Sequence, residues 1–306
     1  MAPTTRLAWR LLLHEAVTTP GLILEAYTAF HRFSLGNQLA ALTQCRERGI
    51  RPGPIATYAG WQAKGRQVRR GARALILCMP VTITAHRRDK DDLDADNESE
   101  SGKAQTVPRT VFIWKPRWFV LSQTDGDPVT VEPPEAWDKA AALTRLGVSE
   151  IPFDELDGNC QGYAIGRSVA ISPIAQLPFK TLFHELGHIL LGHTESAPHD
   201  PIDPPRALKE GEAEGVALLV LEALGLPGAA YCRGYIQAYL SDLSACHTQA
   251  GAAFLSASAY RIIQAADAIL RAGRPTSSAE EFPDGNVIGS VGLVKGGEAH
   301  VQPTDR

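Results

Sequence analysis

The residues best placed to do chemistry are His184-Glu185-Leu186-Gly187-His188, in the segment from Pro178 to His193 that reads PFKTLFHELGHILLGH. At about 100° of rotation per helical residue, the two histidines differ by about 40°, so both imidazoles leave one face. Two rings on one face can reach a single tetrahedral ion, and Zn2+ is the expected cofactor. Glu185 stands beside the pair and is the expected catalytic base, taking a proton from a water molecule acidified by the metal. Leu182, Leu186, Ile189 and Leu190 fall on the other side and give the helix a core face. Pro178 suits the first turn, where its missing N–H costs nothing. An HExxH motif set in an amphipathic helix points to a zinc metallopeptidase, whereas two surface histidines would carry no such faces.

A zinc site of this kind needs a third protein ligand and an open position. The stretch from Lys209 to Leu221 reads KEGEAEGVALLVL, with Glu210, Glu212 and Glu214 ahead of an apolar run. Acids at a helix start also suit its dipole. Glu212 is the preferred ligand, Glu210 and Glu214 are the alternatives, and a glutamate left over could orient a histidine. His193 is a further candidate, but in a continuous helix it lies about 180° from His184. Only a break at Gly192 would bring it back. Tyr231, Tyr235 and Tyr239 repeat every four residues, a stripe that reads as core.

The elements that must hold these groups follow from the remaining pattern. A chain of 306 residues with 44% hydrophobic and 21% charged residues can bury a substantial core. The net charge of -4 gives no overall attraction to nucleic acid or acidic membranes. No window approaches the ~20 apolar residues of a membrane helix. The cysteines Cys45, Cys78, Cys160, Cys232 and Cys246 are scattered and form no CxxC pair, so buried reduced thiols in a cytoplasmic protein are expected. Residues 6–48 read as helices broken at Pro20-Gly21 and Gly36. Residues 74–84 read as a buried strand with a proline defect, and 110–121 as its partners. Between them, Asp89 to Glu100 carries seven carboxylates and reads as a flexible acidic loop. Residues 125–135 are rich in Pro, Gly and acid and read as a domain boundary. A helix near 136–146, strands at 161–165 and 168–172, the motif helix and further helices over 206–273 follow.

A second cluster lies upstream. Lys64, Arg66, Arg69, Arg70 and Arg73 occur with Trp61 and Tyr58 and without an acid between Trp61 and Arg73. Bases that neutralise phosphates beside rings that stack on nucleobases are the ingredients of single-strand binding. A solvated basic turn has the same composition.

Phe33-Ser-Leu-Gly-Asn-Gln-Leu39, then WQAKGRQVRRG from Trp61 to Gly71, then Leu121-Ser-Gln-Thr-Asp-Gly126 resemble the N-terminal domain of ArdC-type antirestriction proteins. The helix bearing Glu212-Ala-Glu-Gly-Val-Ala217 resembles the glutamate-bearing helix of ImmA/IrrE-type zincins. The resemblance implies an α+β chain. A small N-terminal α+β domain (1–130, acidic loop 89–106) would bind single-stranded DNA, and a mainly helical zincin-like metallopeptidase domain (131–275) and a tail (276–306) would follow. It implies DNA contact by Tyr58, Trp61, Lys64, Arg66, Arg69 and Arg70. It also implies zinc on His184 and His188, a glutamate from the 210–214 cluster as third ligand, and catalysis by Glu185. The acidic loop is no part of that family pattern. The function implied is that of a mobile-element or plasmid accessory protein that counters restriction, with single-stranded DNA and an unidentified protein substrate as partners. The alternatives are a regulatory protease that cuts a repressor, and a non-catalytic DNA-binding module with a vestigial metal site.

Overall fold

A computed structural model describes residues 8–86, 106–156, 158–194, 206–244 and 249–275. The acidic segment Asp89 to Glu100, Cys246, the side chain of Tyr239 and the tail beyond 275 lie outside the described residues. Three helices open the chain, α1 (Trp9–Thr18), α2 (Leu22–Phe30) and α3 (Leu35–Glu47). The break expected at Gly36 falls earlier, at residues 31–34, and Gly36 lies in the first turn of α3. A Cβ there would stand 2.5 Å from the Trp9 indole, so glycine lets α1 and α3 approach.

Next come β1 (Ile55–Thr57), the short α4 (Tyr58–Ala63), β2 (Arg66–Val68), β3 (Leu75–His86), β4 (Thr106–Val120) and β5 (Thr124–Gly126). β3 and β4 form a long antiparallel hairpin, β1 adds to β4, and the sheet order is β1-β4-β3. β2 and β5 form a separate two-stranded ribbon. β3 is therefore an edge strand, which explains why Pro80 is tolerated within it. Helix α3 covers part of that edge with two amides. Asn37 exchanges both hydrogen bonds with the Cys78 backbone at 2.8 Å, and Gln44 does the same with Ile76 at 2.8 and 2.9 Å. Two residues seven apart on α3 thus satisfy an edge that would otherwise invite a foreign strand.

The remainder comprises α5 (Lys139–Leu146), β6 (Ser149–Glu150), β7 (Gly162–Ile165), β8 (Ser168–Ile171), α6 (Pro178–Leu190), α7 (Arg206–Ala223), α8 (Ala229–Ser244) and α9 (Gln249–Ala272). β8 lies between β6, parallel to it, and β7, antiparallel to it. The fold is α+β, with strands concentrated in the N-terminal half and helices beyond. Among the described residues no helix is long and apolar enough to cross a membrane.

Carboxylates from the later helices cap the early ones. Glu222 of α7 accepts from the amides of Gly21 and Ile23 at the start of α2, and its other oxygen pairs with Arg233. Asp267 of α9 accepts from the Leu35 amide at the start of α3, at 2.7 Å. Each supplies an acceptor to a helix terminus whose amides have no partner within the helix. Contacts therefore cross the stretch 125–135 that reads as a boundary, and α1 to α3 share a core with α7 to α9.

Cys45, Cys78, Cys160 and Cys232 are free thiols, of which only Cys45 and Cys232 are buried. Tyr231 and Tyr235 are 72% and 48% exposed. The expected aromatic core stripe on α8 instead faces solvent at these two positions, and among the described side chains of that helix Cys232 and Ile236 are buried.

Candidate metal centre

Helix α6 buries Leu182, Leu186, Ile189 and Leu190, which turns His184 and His188 to the opposite side. The two Nε2 atoms face each other 3.1 Å apart. Helix α7 crosses α6 closely at Gly187, where a Cβ would stand 3.0 Å from the Ala213 Cα. Ala213 sits between the glutamates, so this close approach delivers their carboxylates to the imidazoles.

The carboxylate that reaches the histidine pair belongs to Glu210, not to the preferred Glu212. Glu210 Oε2 lies 3.3 Å from His184 Nε2 and 3.6 Å from His188 Nε2, and the three groups form a cluster able to hold a metal ion. Glu214, one turn along, has Oε2 2.8 Å from His184 Nδ1. An ionised carboxylate only accepts, so the ring donates from Nδ1, and Nε2 is the nitrogen turned toward His188 and Glu210. Lys180 pairs with the same carboxylate at 3.0 Å. Glu212 is turned about 200° from Glu210 around the helix. It is 1% exposed and engages His193 and Ser258 instead.

His193 does return toward the site, because α6 ends at Gly192. Gly192 adopts a φ of +75°, and the His193 and Gly192 amides donate to the carbonyls of His188 and Ile189. This Schellman turn folds His193 back over the last turn. Its Nδ1 then meets His188 Nδ1 at 3.1 Å, on the side of that ring away from the converging Nε2 atoms.

The donor set fits a small divalent cation. Around a tetrahedral zinc with bonds of about 2.0–2.1 Å, ligand atoms stand about 3.3 Å apart. Here the separations are 3.1, 3.3 and 3.6 Å. Two imidazoles and one carboxylate suit a divalent transition-metal ion better than an ion that prefers all-oxygen ligands, such as magnesium. Burial alone would lower the His184 pKa, but the Glu210 and Glu214 carboxylates reverse this and raise it to about 9. Burial and the neighbouring His184 charge drop His188 to about 4. Burial would raise Glu214, yet His184 and Lys180 hold it down to about 2. In the metal-free site the positive charge therefore sits on His184, and His188 is neutral beside it. Glu185, 9% exposed, is pushed above the usual carboxylate range by burial.

The upstream basic cluster divides. Trp61 is 1% exposed, packs with Ala56 and Val68, and donates from Nε1 to the Phe119 carbonyl. It is a core residue and offers no stacking face, because α4 turns it inward onto the sheet. Arg66 bonds to Thr124 and to the carbonyls of Gly126 and Asp127, which ties β2 to β5. Arg69 pairs with Asp125 at 2.9 Å. Tyr58, Lys64 and Arg70 are the members of the expected set that stand in solvent without such ties, although the Tyr58 hydroxyl accepts from Gln67.

Residues 8–112 match the family described as the N-terminal domain of anti-restriction factor ArdC. Two solved structures are similar over 87% of this chain and 97% of theirs, each at 18% identity. One is the metal-free antirestriction ArdC protein from the R388 plasmid, with a TM-score of 0.50. The other is the Mn(II)-bound form of that protein, with a TM-score of 0.48. No curated protein matches the sequence.

Proposed function

From a chain whose residues 8–112 match the ArdC N-terminal domain family and whose fold resembles that of ArdC, we propose an antirestriction accessory protein. Its N-terminal part binds single-stranded DNA and its helical part is a zinc-dependent peptidase. The observation that carries the peptidase reading is the convergence of His184 Nε2, His188 Nε2 and Glu210 Oε2.

His184, His188 and Glu210 would hold the zinc, and Glu214 orients the first ring through Nδ1. When bound, zinc polarises a carbonyl group and acidifies a water molecule. Glu185 would serve as the proton carrier, accepting a proton from the attacking water and returning it to the departing amine. Its burial suits this task, since a raised pKa brings a carboxylate nearer the operating pH. β7, at the edge of its sheet among the described residues and packed on α6, offers unpaired backbone groups to an extended polypeptide. For DNA, Lys64 and Arg70 would neutralise phosphates and Tyr58 would offer a stacking face.

The test is Glu185→Gln in the full chain. It should retain zinc and single-strand binding while losing proteolysis of the host or regulatory target. Full protection of incoming DNA by this variant would assign antirestriction to DNA binding alone. Loss of a repressor-cleavage response would favour the regulatory protease instead.

A further inference from the structure

We propose that His193 is a positioning residue for the metal centre, holding the His188 ring through Nδ1 while Glu212 and Ser258 hold His193. This rests on the reading of His184, His188 and Glu210 as ligands.

A chain of hydrogen-bonding groups runs from α9 to the His188 ring. It begins at α9, where the Ser258 hydroxyl donates to Glu212 Oε1 at 2.7 Å. The Arg261 guanidinium lies 3.6 Å from Glu212 Oε2 and also donates to the Leu191 carbonyl. Beside that cation Glu212 is a carboxylate, which can only accept. His193 Nε2, 3.0 Å from Glu212 Oε2, must therefore carry a proton. With that proton on Nε2, His193 offers Nδ1 as an acceptor, and His188 Nδ1, 3.1 Å away, donates to it. His188 consequently has its lone pair on Nε2, the atom facing His184 Nε2 and Glu210. Reversing the His193–His188 bond would put the proton of a neutral His188 on Nε2, the atom a cation needs.

Burial gives the relay its weight. The side chains of His193 and Glu212 are 4% and 1% exposed, so water does not compete for these bonds. The two rings of the centre are thus fixed by different devices. His184 is held by Glu214 on α7, and His188 is held by a histidine placed by the Gly192 turn and bonded to Glu212 of α7, which Ser258 of α9 braces.

The experiment is zinc affinity of the full-length protein, stripped with chelator and titrated in competition with a chromophoric chelator, at constant pH. His193→Phe keeps the volume and removes both bonds, and it should weaken zinc binding by about ten- to a hundredfold. His193→Gln, whose carbonyl can accept and whose amide can donate, should recover most of that loss. In the zinc-loaded wild type, 15N NMR of the imidazoles should show His188 protonated at Nδ1. Wild-type affinity in folded His193→Phe overturns the positioning role and leaves the metal centre standing. A wild type that takes up no zinc defeats the metal reading itself and the relay with it. Should His193→Phe fail to fold, Ser258→Ala at the far end carries the test: weaker zinc binding supports the relay and unchanged binding overturns it.

Discussion

His184 Nδ1 lies 2.8 Å from Glu214 Oε2, across the ring from the nitrogen that faces His188 and Glu210. One imidazole therefore meets two glutamates spaced one turn apart on α7, one at each nitrogen. Glu214→Ala should lower zinc affinity by about ten- to a hundredfold, since groups that orient a metal-binding histidine have effects of that size. Competition titration measures it. Equal affinity in the variant would show that Glu214 serves only its pair with Lys180.

At Gly187 α6 and α7 approach closely, and the space for a side chain is closed by the Ala213 backbone. Gly187→Ala should destabilise the apo protein by about 1–3 kcal/mol through overpacking. It should also weaken zinc binding, because separating the helices moves Glu210 away from the rings. Chemical denaturation and zinc titration of one preparation test both.

In the basic cluster, position decides role. Trp61→Ala should cost about 3–5 kcal/mol of stability, as for a large aromatic removed from a core. Tyr58→Ala should leave stability nearly unchanged and weaken single-strand binding. Lys64→Ala with Arg70→Ala should reduce the salt slope of that binding by about 1.4. Filter binding across a salt series, beside denaturation curves, separates these outcomes.

His31 is a partly buried imidazole whose pKa lies below the ordinary 6.5, chiefly through burial, with Arg274 and Arg32 adding to the fall and a bond to the Thr28 backbone opposing it. Below pH 6.5 the unfolded chain takes up a proton here that the folded chain resists. Stability should therefore fall as the pH drops through 6.5 toward the folded-state value, and rise again as the ring becomes neutral. Denaturation of wild type and His31→Gln at pH 5.5 to 7.5, in chelator, should show a smaller dependence in the variant. Parallel curves would remove His31 from the account.

The motif helix was legible because its apolar and histidine faces separate at the period of 3.6. The glutamate helix was less so. Glu210 and Glu214 differ by about 40°, the same spacing as His184 and His188, and that match of two i,i+4 pairs would have favoured Glu210 over Glu212. The role of His193 depended on whether Gly192 ends the helix, and glycine permits a left-handed turn without requiring it. Ser258 and Arg261 lie on α9, far along the chain from Glu212, and only tertiary packing brings them together. The basic cluster misled for a related reason. Composition marks Trp61 and Arg66 as nucleic-acid groups, but a six-residue helix and a two-stranded ribbon need a core and a clasp, and these residues supply them. Asn37 and Gln44 carried no local signal, since an amide seven residues from another on a helix states nothing about a strand edge.

The central claim is that Glu210 completes a zinc site with His184 and His188. Zinc content after exhaustive dialysis of wild type and Glu210→Ala, with folding checked by circular dichroism, tests it most directly. The account predicts a single zinc ion per wild-type chain and loss of nearly all of it in folded Glu210→Ala. A wild type without zinc, or a Glu210→Ala protein that keeps its full complement, would contradict it.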